Sequence, residues 1–280
     1  MQGRIIKLIS NDYTVEADGK LFVCKSRGKF RNLHVTPLVG DYVEFDEKNH
    51  YILEIQPRKN ALVRPPVANI DQAFLITSVK HPDFSTHLLD KLLTIIEFHN
   101  IKPIICFTKL DLLDAEEVEE IEYYIDYYRQ IGYTVYQNTD LEQIKSTFQG
   151  KTSVFTGQSG AGKSTLLNHL DVTLKLKTDE ISEALGRGKH TTRHVELIPL
   201  YDGYVADTPG FSAISFLDMT DADIRDNFVE FNEYRENCEY RDCMHLSESN
   251  CAIKQKVEEN IICKSRYENY VDFITKKERK

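Results

Sequence analysis

The glycine-rich segment at residues 157–165 constrains the fold of this chain more than any other stretch. It follows an apolar run at 153–155 and leads directly into a helix-forming run at 166–170. Glycines at such a strand-to-helix turn let backbone N–H groups wrap an anion, and the helix N-terminus adds partial positive charge. The segment reads Gly157, Gln158, Ser159, Gly160, Ala161, Gly162, Lys163, Ser164 and Thr165.

Two side chains of this segment carry the chemistry of a phosphate loop. Lys163 can reach the β- and γ-phosphates of a nucleotide, and the hydroxyl of Ser164 can ligate Mg²⁺. The plainer alternative is a flexible glycine turn that carries an exposed lysine. We therefore predict that the nine residues bind the phosphates of a nucleoside triphosphate.

Length and charge indicate a chain of several modules. Its 280 residues are enough for two or three domains. The net charge is −9, and it is uneven: residues 1–65 carry +3, residues 66–215 carry −8 and residues 216–280 carry −4. An acidic chain is poorly suited to indiscriminate nucleic-acid binding, although local basic faces can still contact the phosphates of a structured RNA.

The N-terminus and the cysteines indicate the compartment. No apolar signal segment follows Met1, and no run approaches the ~18 apolar residues that span a bilayer. We therefore expect a soluble, cytoplasmic protein with no membrane partner. Six cysteines would allow three disulfides, but a reducing compartment favours free thiols or metal ligands.

Residues 3–55 alternate short β-rich runs with turn signals. The runs lie at 4–9, 13–17, 21–25, 43–45 and 51–55. Five strands at this spacing predict a small barrel of the oligonucleotide/oligosaccharide-binding type, an OB-fold. A loop after the third run places three cations around one aromatic ring, which suits RNA phosphates and bases; the alternative is a solvated basic loop around a core-facing ring. The predicted RNA-binding residues are Arg27, Lys29, Phe30 and Arg31.

A linker at 58–69 separates this region from the next one. It contains the Pro65-Pro66 pair, which favours an extended chain. Buried strands at 70–79, 103–107, 134–136 and 153–155 then alternate with helices near 88–98, 115–130 and 141–148, which predicts a parallel sheet wrapped by helices. We place the domains at 1–64, an OB-fold barrel; 65–215, an α/β nucleotide-binding domain; and 216–280, a mostly helical domain.

A second motif, Thr108-Lys109-Leu110-Asp111, comes directly after the strand at 103–107. Ligands of open α/β sheets bind at the carboxyl ends of strands, so we expect this motif beside the phosphate loop. The Asp111 carboxylate can accept hydrogen bonds from the ring N–H and the exocyclic amine of guanine, and the Lys109 stem can pack along the base. Thr108 replaces the commoner asparagine, which leaves an ATP-dependent kinase open as an alternative.

Two motifs downstream of the phosphate loop complete the pattern of a nucleoside triphosphatase. Asp207-Thr208-Pro209-Gly210 follows a short strand at 203–206, so that Asp207 can hold Mg²⁺ through water and the Gly210 N–H can meet a γ-phosphate. The alternative is a Pro-Gly turn capped by an aspartate. A flexible basic loop at 186–194 contains Thr191 and Thr192, and we expect one of them to bind Mg²⁺ and the nucleotide.

The C-terminal region contains a metal-binding pattern. Three thiolates and one imidazole within fourteen residues suit one closed, tetrahedral, structural Zn²⁺ site, which would organise a segment with little core of its own. Scattered buried cysteines are the alternative. The predicted zinc ligands are Cys238, Cys243, His245 and Cys251. The remaining cysteines are predicted core thiols: Cys24, Cys106 and Cys263.

The order of the motifs is unusual. Guanine recognition at 108–111 precedes the phosphate loop, the threonine loop and the Asp-x-x-Gly turn, whereas common switch GTPases begin with the phosphate loop. The chain resembles the circularly permuted GTPases, with motif order G4-G5-G1-G2-G3. Over its whole length it looks like the RsgA family (also called YjeQ or YloQ) of bacterial small-subunit ribosome-assembly GTPases. Besides the phosphate loop and the metal pattern, the resemblance covers Val39-Gly40-Asp41-Tyr42-Val43, Arg64-Pro65-Pro66 and Gly188-Lys189-His190-Thr191-Thr192.

The resemblance implies a function and partners. It implies a GTPase that binds GTP and GDP with Mg²⁺, and that assists late maturation of the 30S ribosomal subunit through its 16S rRNA. Hydrolysis to GDP and phosphate would be slow alone and faster with the 30S subunit. We also expect one structural zinc per chain and a monomer. The non-enzymatic alternative is an rRNA-binding scaffold that uses the nucleotide only for stability.

The water-activating group is the least defined part of the predicted mechanism. Phe211 occupies the position after the Asp-x-x-Gly turn where many switch GTPases carry a glutamine, and a phenyl ring cannot orient water. His190 is the candidate catalytic residue, since the resemblance implies a catalytic histidine in the threonine loop; an RNA contact or an exposed position is the alternative. We also expect GTP to order the loops and to set the barrel and the zinc domain for rRNA binding.

Overall fold

The structure is a computed structural model that describes residues 1–28, 30, 35–62, 66–171, 195–207 and 215–276. The strands in these ranges are β1 (Gln2–Ile9), β2 (Asp12–Ala17), β3 (Lys20–Ser26), β4 (Tyr42–Asp46), β5 (Tyr51–Ile55), β6 (Ala61–Leu62), β7 (Val67–Ala68), β8 (Gln72–Ser78), β9 (Lys102–Thr108), β10 (Thr134–Gln137), β11 (Thr152–Thr156), β12 (Val195–Leu200) and β13 (Gly203–Asp207). The α-helices are α1 (Thr86–Phe98), α2 (Ala115–Gln130), α3 (Leu141–Ser146), α4 (Lys163–Leu170), α5 (Asp221–Asp226), α6 (Phe231–Tyr234), α7 (Ala252–Glu258) and α8 (Lys264–Thr275).

The first five strands close into a barrel. β1 pairs with β2 and β4 in antiparallel register, and β3 pairs with β5 in parallel. Alternate side chains point inward, and Ile5, Val15 and Ile52 are fully buried in the barrel core. The predicted five-stranded barrel is therefore confirmed, with strands at the predicted places.

The barrel core also contains Phe30. The residue is 6% exposed and belongs to the same buried cluster as Ile5 and Val15. Burial of a phenyl ring is favourable because it removes a large apolar surface from water. The structure contradicts the predicted role of Phe30 in stacking on RNA bases, since a buried ring offers them no face. Of the other predicted RNA contacts, Arg27 is exposed, and Lys29 and Arg31 lie outside the described residues.

The central domain is built on a parallel sheet in the order β10-β9-β8-β11-β13. Its connections run through helices, as the sequence predicted. The Ser85 hydroxyl caps α1 by accepting from Leu88 N, and Asp114 and Glu117 form a capping box at the start of α2. These local signals fix where the helices begin.

The hairpin of β12 and β13 joins the two domains into one sheet. β12 pairs with β13 on one side and with barrel strand β1 on the other, so eleven of the described strands form a continuous sheet. The β1–β12 ladder is short: Lys7 lies opposite Glu196 and Leu8 opposite Val195. β12 and this pairing are not predicted from the sequence.

The C-terminal region is mostly helical, as predicted, and residues 221–234 form two short helices, α5 and α6. Asn227 ends α5, and its side-chain amide donates to the carbonyl oxygen of Asp223 at 2.7 Å. The break lets Phe228 and Phe231 turn into a buried cluster with Tyr270 of α8. Among the described helices, none combines the length and the apolar character that a membrane crossing requires.

Candidate functional site

Three of the predicted nucleotide motifs begin at one edge of the parallel sheet. β9 ends at Thr108, β11 ends at Thr156 just before the phosphate loop, and β13 ends at Asp207. Because β8, β9, β11 and β13 run in the same direction, their carboxyl ends lie side by side. The site predicted from separate stretches of sequence is thus one place in the fold.

The backbone conformation of the phosphate loop requires glycine at two positions, Gly157 and Gly162. Gly157 has φ +136, and a Cβ there would lie 2.1 Å from the Ile76 carbonyl oxygen of the neighbouring strand. Gly162, the residue before α4, has φ +91, in the region that side chains disfavour. The backbone therefore passes close to β8 at Gly157 and turns into α4 at Gly162.

Lys163 lies across this loop. Its Nζ donates to the carbonyl oxygens of Gly157 at 2.7 Å and of Gln158 at 2.6 Å. Burial lowers the pKa of Lys163 to about 8. An anion beside the amine would favour its charged form, so the lysine is placed to stabilise phosphate oxygens.

Two of the other predicted phosphate and magnesium residues lie in the first turn of α4, and a third ends β13. Ser164 is buried in the first turn of α4, and Thr165 is exposed beside it. Asp207 ends β13, where its backbone lies opposite Glu196. His190, Thr191, Thr192, Gly210 and Phe211 lie outside the described residues.

The base motif is held against the phosphate loop. The Thr108 Oγ1 donates to the carbonyl oxygen of Ala161 at 2.7 Å. Lys109 has φ +63, and its ammonium group donates to the His81 carbonyl oxygen. Asp111 lies on the 3₁₀ turn Leu110–Leu112 and is exposed, so its carboxylate is free to meet a base at the sheet edge.

The loop after β10 lies at the same edge of the sheet and contains no predicted site residue. The loop after β10 contains Asn138 and Asp140: Asn138 N donates to the Phe107 carbonyl oxygen at 2.9 Å, and Asp140 accepts from Gln137 N at 2.8 Å. It therefore stands next to the base motif. The signal was present, because β10 is the neighbour expected beside β9 and its loop must open at the same edge.

The predicted zinc ligands come together in the C-terminal region. One ligand atom from each of Cys238, Cys243, His245 and Cys251 lies within 4.8 Å of the others. The Nδ1 of His245 faces the thiols, 3.6 Å from Cys238 Sγ and 3.3 Å from Cys251 Sγ. Its Nε2 has no hydrogen-bond partner in the described part of the chain, and the ring packs edge-on against Phe231.

The surroundings of this cluster fit a zinc ion. The Glu248 carboxylate accepts from Met244 N at 2.6 Å and from Leu246 N at 2.7 Å, which fixes the loop that carries the histidine. Burial lowers the pKa of His245 to about 4, so the imidazole is neutral and can donate its lone pair. Burial also raises the pKa of Cys243 to about 12, which a divalent cation between the thiols would offset. The donor set is that of a closed zinc site.

Comparison with known proteins identifies the family. The sequence profile of the RsgA GTPase matches residues 55–217, more than half of the chain. This chain belongs to the RsgA GTPase family. The profile of the RsgA N-terminal domain also matches, over residues 2–51, where the barrel lies.

Named relatives cover almost the whole of this RsgA-family chain. The protein named small ribosomal subunit biogenesis GTPase RsgA 1 of Listeria monocytogenes is 51% identical over 280 residues, covering 98% of this chain and 96% of the relative. The protein of Bacillus subtilis named small ribosomal subunit biogenesis GTPase RsgA is 47% identical over 293 residues, covering 100% and 98%. The predicted family is therefore confirmed.

Solved structures of similar proteins agree with the permuted fold. YloQ, described as a circularly permuted GTPase, superposes with a TM-score of 0.82 at 42% identity and covers 98% of this chain and 94% of its own. YjeQ from Thermotoga maritima superposes with a TM-score of 0.85 at 34% identity and covers 98% and 97%. This member of the RsgA GTPase family is thus a GTP hydrolase with the predicted fold class: an N-terminal barrel, a circularly permuted GTPase domain and a C-terminal region that contains a Cys/His cluster compatible with zinc.

Proposed function

We propose that this chain binds the small ribosomal subunit, assists a late step of its maturation, and hydrolyses GTP slowly alone and faster on that subunit. The names of its relatives support the partner. The observation that supports the proposal most is the hydrogen bond from the Thr108 hydroxyl to the Ala161 carbonyl oxygen, because it joins the predicted guanine motif to the predicted phosphate loop. We propose the cytoplasm as the place of this activity, and the monomer as the active form.

The proposed contacts with GTP follow from the positions at the sheet edge. Asp111 would accept hydrogen bonds from the Watson–Crick edge of guanine, and Lys109 would pack along the base. The backbone N–H groups of residues 157–165 and the Lys163 ammonium would hold the phosphates. Mg²⁺ would be held by Ser164, Asp207 and one of the two loop threonines, and would neutralise charge between the β- and γ-phosphates.

We propose that His190 positions the water that attacks the γ-phosphate. The support is chemical: Phe211 follows the Asp-x-x-Gly turn and cannot orient water, whereas an imidazole in the neighbouring loop can. Single-turnover hydrolysis with small subunits tests the assignment. We expect His190→Ala to keep the affinity for GTP and to lose most of the stimulated rate; a variant that retains both would show that another group positions the water.

We propose that the Cys238, Cys243, His245 and Cys251 cluster holds one structural zinc ion. Its donor set has no open position, so its role would be to hold the loop rather than to act on a substrate. Metal analysis of the purified chain is expected to give one zinc per chain, and Cys251→Ser is expected to lose it. We further propose that the barrel and this zinc region contact 16S rRNA.

The function is tested by GTP turnover against purified ribosomal subunits. We expect stimulation by 30S and not by 50S subunits, and loss of turnover in Lys163→Ala. Lys145→Ala is the matched control, because the ammonium group of this α3 lysine pairs with Glu142 of the same helix and is not a predicted nucleotide ligand. Equal turnover with both subunits would contradict the proposed partner, and full turnover in Lys163→Ala would contradict the proposed site.

A further inference from the structure

The side chain of Thr108 points into the protein, against the phosphate loop. The residue is 3% exposed, and its Oγ1 donates to the carbonyl oxygen of Ala161 at 2.7 Å. A Cβ added to Gly162 would lie 3.7 Å from the same Oγ1, so the hydroxyl sits against two consecutive residues of the loop. The base motif and the phosphate loop are thus joined directly through one side chain.

The surroundings of this hydroxyl determine how its proton is used. The next acceptor, the Thr77 carbonyl oxygen, lies at 3.5 Å, so the two described acceptors near Oγ1 are both backbone carbonyls. A hydroxyl has a single proton to donate. Since that proton goes to Ala161, the side chain has none for an acceptor on a ligand.

Asparagine, the commoner residue at this position of the motif, differs in its donor count. Its amide group has two N–H donors, so one can bond to the loop carbonyl while the other bonds to a base. On the imidazole side of guanine the atom available to such a donor is N7, which accepts only. Threonine can therefore keep the link to the loop but cannot also bind N7.

We propose that Thr108 is a positioning residue that ties the base motif to the phosphate loop, and that its hydroxyl makes no hydrogen bond to N7 of a bound guanine nucleotide. The inference rests on the nucleotide site proposed above. Guanine is then recognised from its Watson–Crick edge, where Asp111 is placed. The loss of an N7 contact does not favour ATP, because adenine carries the same N7 acceptor and cannot match the two donors that Asp111 requires.

The proposal is tested with 7-deaza-GDP, in which a C–H group replaces N7. Dissociation constants for GDP and 7-deaza-GDP are measured with the wild-type chain and with Thr108→Asn. We expect the two constants of the wild type to agree within about twofold, and the asparagine variant to prefer GDP by about fivefold, the effect of one added hydrogen bond. A wild-type preference of fivefold or more for GDP would overturn the proposal, and so would an asparagine variant that does not discriminate.

Two further variants test the positioning role. Thr108→Val keeps the shape but removes the donor, so we expect both nucleotides to bind about fivefold more weakly or worse, by the same factor. Thr108→Ser keeps the hydroxyl and is the matched control, with both affinities near those of the wild type. A valine variant that weakens GDP alone would mean that the hydroxyl binds N7. If the wild-type chain bound neither nucleotide, the site itself would be refuted, whereas binding with the wrong ratio refutes only this inference.

Discussion

The barrel and the C-terminal helices are attached to the GTPase domain by two contrasting junctions. The C-terminal junction is a buried charge cluster: Arg266 of α8 and Asp90 of α1 have side-chain exposures of 1% and 0%. The barrel junction includes a short strand ladder whose ion pair, Lys7 with Glu196, is 30% and 31% exposed. Loss of one partner costs several kcal/mol of unfolding free energy in a buried ion pair but little in an exposed one.

The buried cluster is fully hydrogen-bonded on its charged groups. The Arg266 guanidinium makes two bonds to Glu230, at 2.6 and 3.1 Å, and one of 2.7 Å to Asp90. Asp90 also accepts from Asn269 at 2.6 Å and from the Tyr128 hydroxyl at 2.6 Å. Burial, aided by the Asp90 carboxylate, raises the pKa of Tyr128, so the phenol keeps the proton it donates. Arg266 of α8 thus binds both Asp90 of α1 and Glu230, and so joins three parts of the chain.

The barrel junction relies on a more open set of contacts. The Arg4 guanidinium lies between the rings of Tyr42 and Tyr204, 5.2 and 5.1 Å from their centroids. It also donates to the Thr152 hydroxyl at 2.6 Å, and the Tyr204 hydroxyl donates to Glu16 at 2.6 Å. These contacts are polar and partly exposed.

The difference matters because of where each junction lies. β12 connects the threonine loop to β13, which ends at Asp207, so the barrel is paired with the strand between two predicted nucleotide motifs. The C-terminal helices instead pack on α1, through contacts such as His87 with Asp272. We therefore expect the barrel junction to respond to the nucleotide, and the C-terminal junction to stay fixed.

Removal of the proposed zinc ion is expected to have the largest effect, and it tests how far the buried junction depends on a metal. Structural zinc contributes on the order of 10 kcal/mol in small zinc-binding peptides. The hydroxyl of Tyr267 on α8 bonds to the His245 carbonyl at 2.7 Å, so the metal loop rests on the junction helix. We expect a strong chelator to open residues 238–251 to proteolysis and to lower the melting temperature. Proteolysis that began within α1 or α8 instead would show that the metal, and not the arginine cluster, holds these two helices together.

The substitution Arg266→Met is expected to have the next largest effect. It would leave the Asp90 and Glu230 carboxylates buried without their cation, which costs about 3–5 kcal/mol of unfolding free energy. Urea unfolding measures this loss. Lys264→Met on the same helix is the matched control, since this lysine is exposed and we expect a change within about 0.5 kcal/mol. Similar losses of unfolding free energy in both variants would contradict the stabilising role of the buried Arg266 cluster.

Arg4→Ala is expected to destabilise the barrel junction by about 1–2 kcal/mol, because it removes two cation–π contacts and one hydrogen bond. Arg4→Lys keeps the charge but not the planar group and should fall between the alanine variant and the wild type. Thermal unfolding of the three proteins gives the order. A lysine variant as unstable as the alanine variant would mean that the planar stacking, not the charge, carries the contact.

Glu196→Gln is expected to have the smallest effect, below about 1 kcal/mol, because the pair with Lys7 is exposed and screened by salt. The loss should shrink further as salt is raised, and unfolding at low and high salt measures this. A loss comparable to that of Arg266→Met would remove the contrast between the two junctions.

Much of the fold and of the nucleotide site follows from the sequence because the signals are local. The five barrel strands carry alternation and turn residues, and the phosphate loop needs glycine where the backbone turns or meets β8. Parallel strands then bring their ends together, which places the base motif beside the loop. The predicted zinc ligands lie within fourteen residues, so one loop is enough to bring them together.

The remaining features depend on contacts between distant residues. In the sequence Arg266 looks like one of two surface cations of α8, since its partners Glu230 and Asp90 are 36 and 176 residues away. The β1–β12 pairing unites strands from two domains, and local alternation does not specify such a register. Phe30 is flanked by cations, which suggested a stacking ring, but closure of the barrel buries it.

Hydrogen exchange of the chain bound to GDP and to a non-hydrolysable GTP analogue tests the contrast between the junctions most directly. We expect backbone amides at residues 7–8 and 195–196 to change their protection between the two states, because this ladder adjoins the predicted nucleotide loops. Amides of α1 and α8 around Asp90 and Arg266 should exchange at the same rate in both. Equal protection at the β1–β12 ladder, or a nucleotide-dependent change confined to the Arg266 junction, would contradict the account.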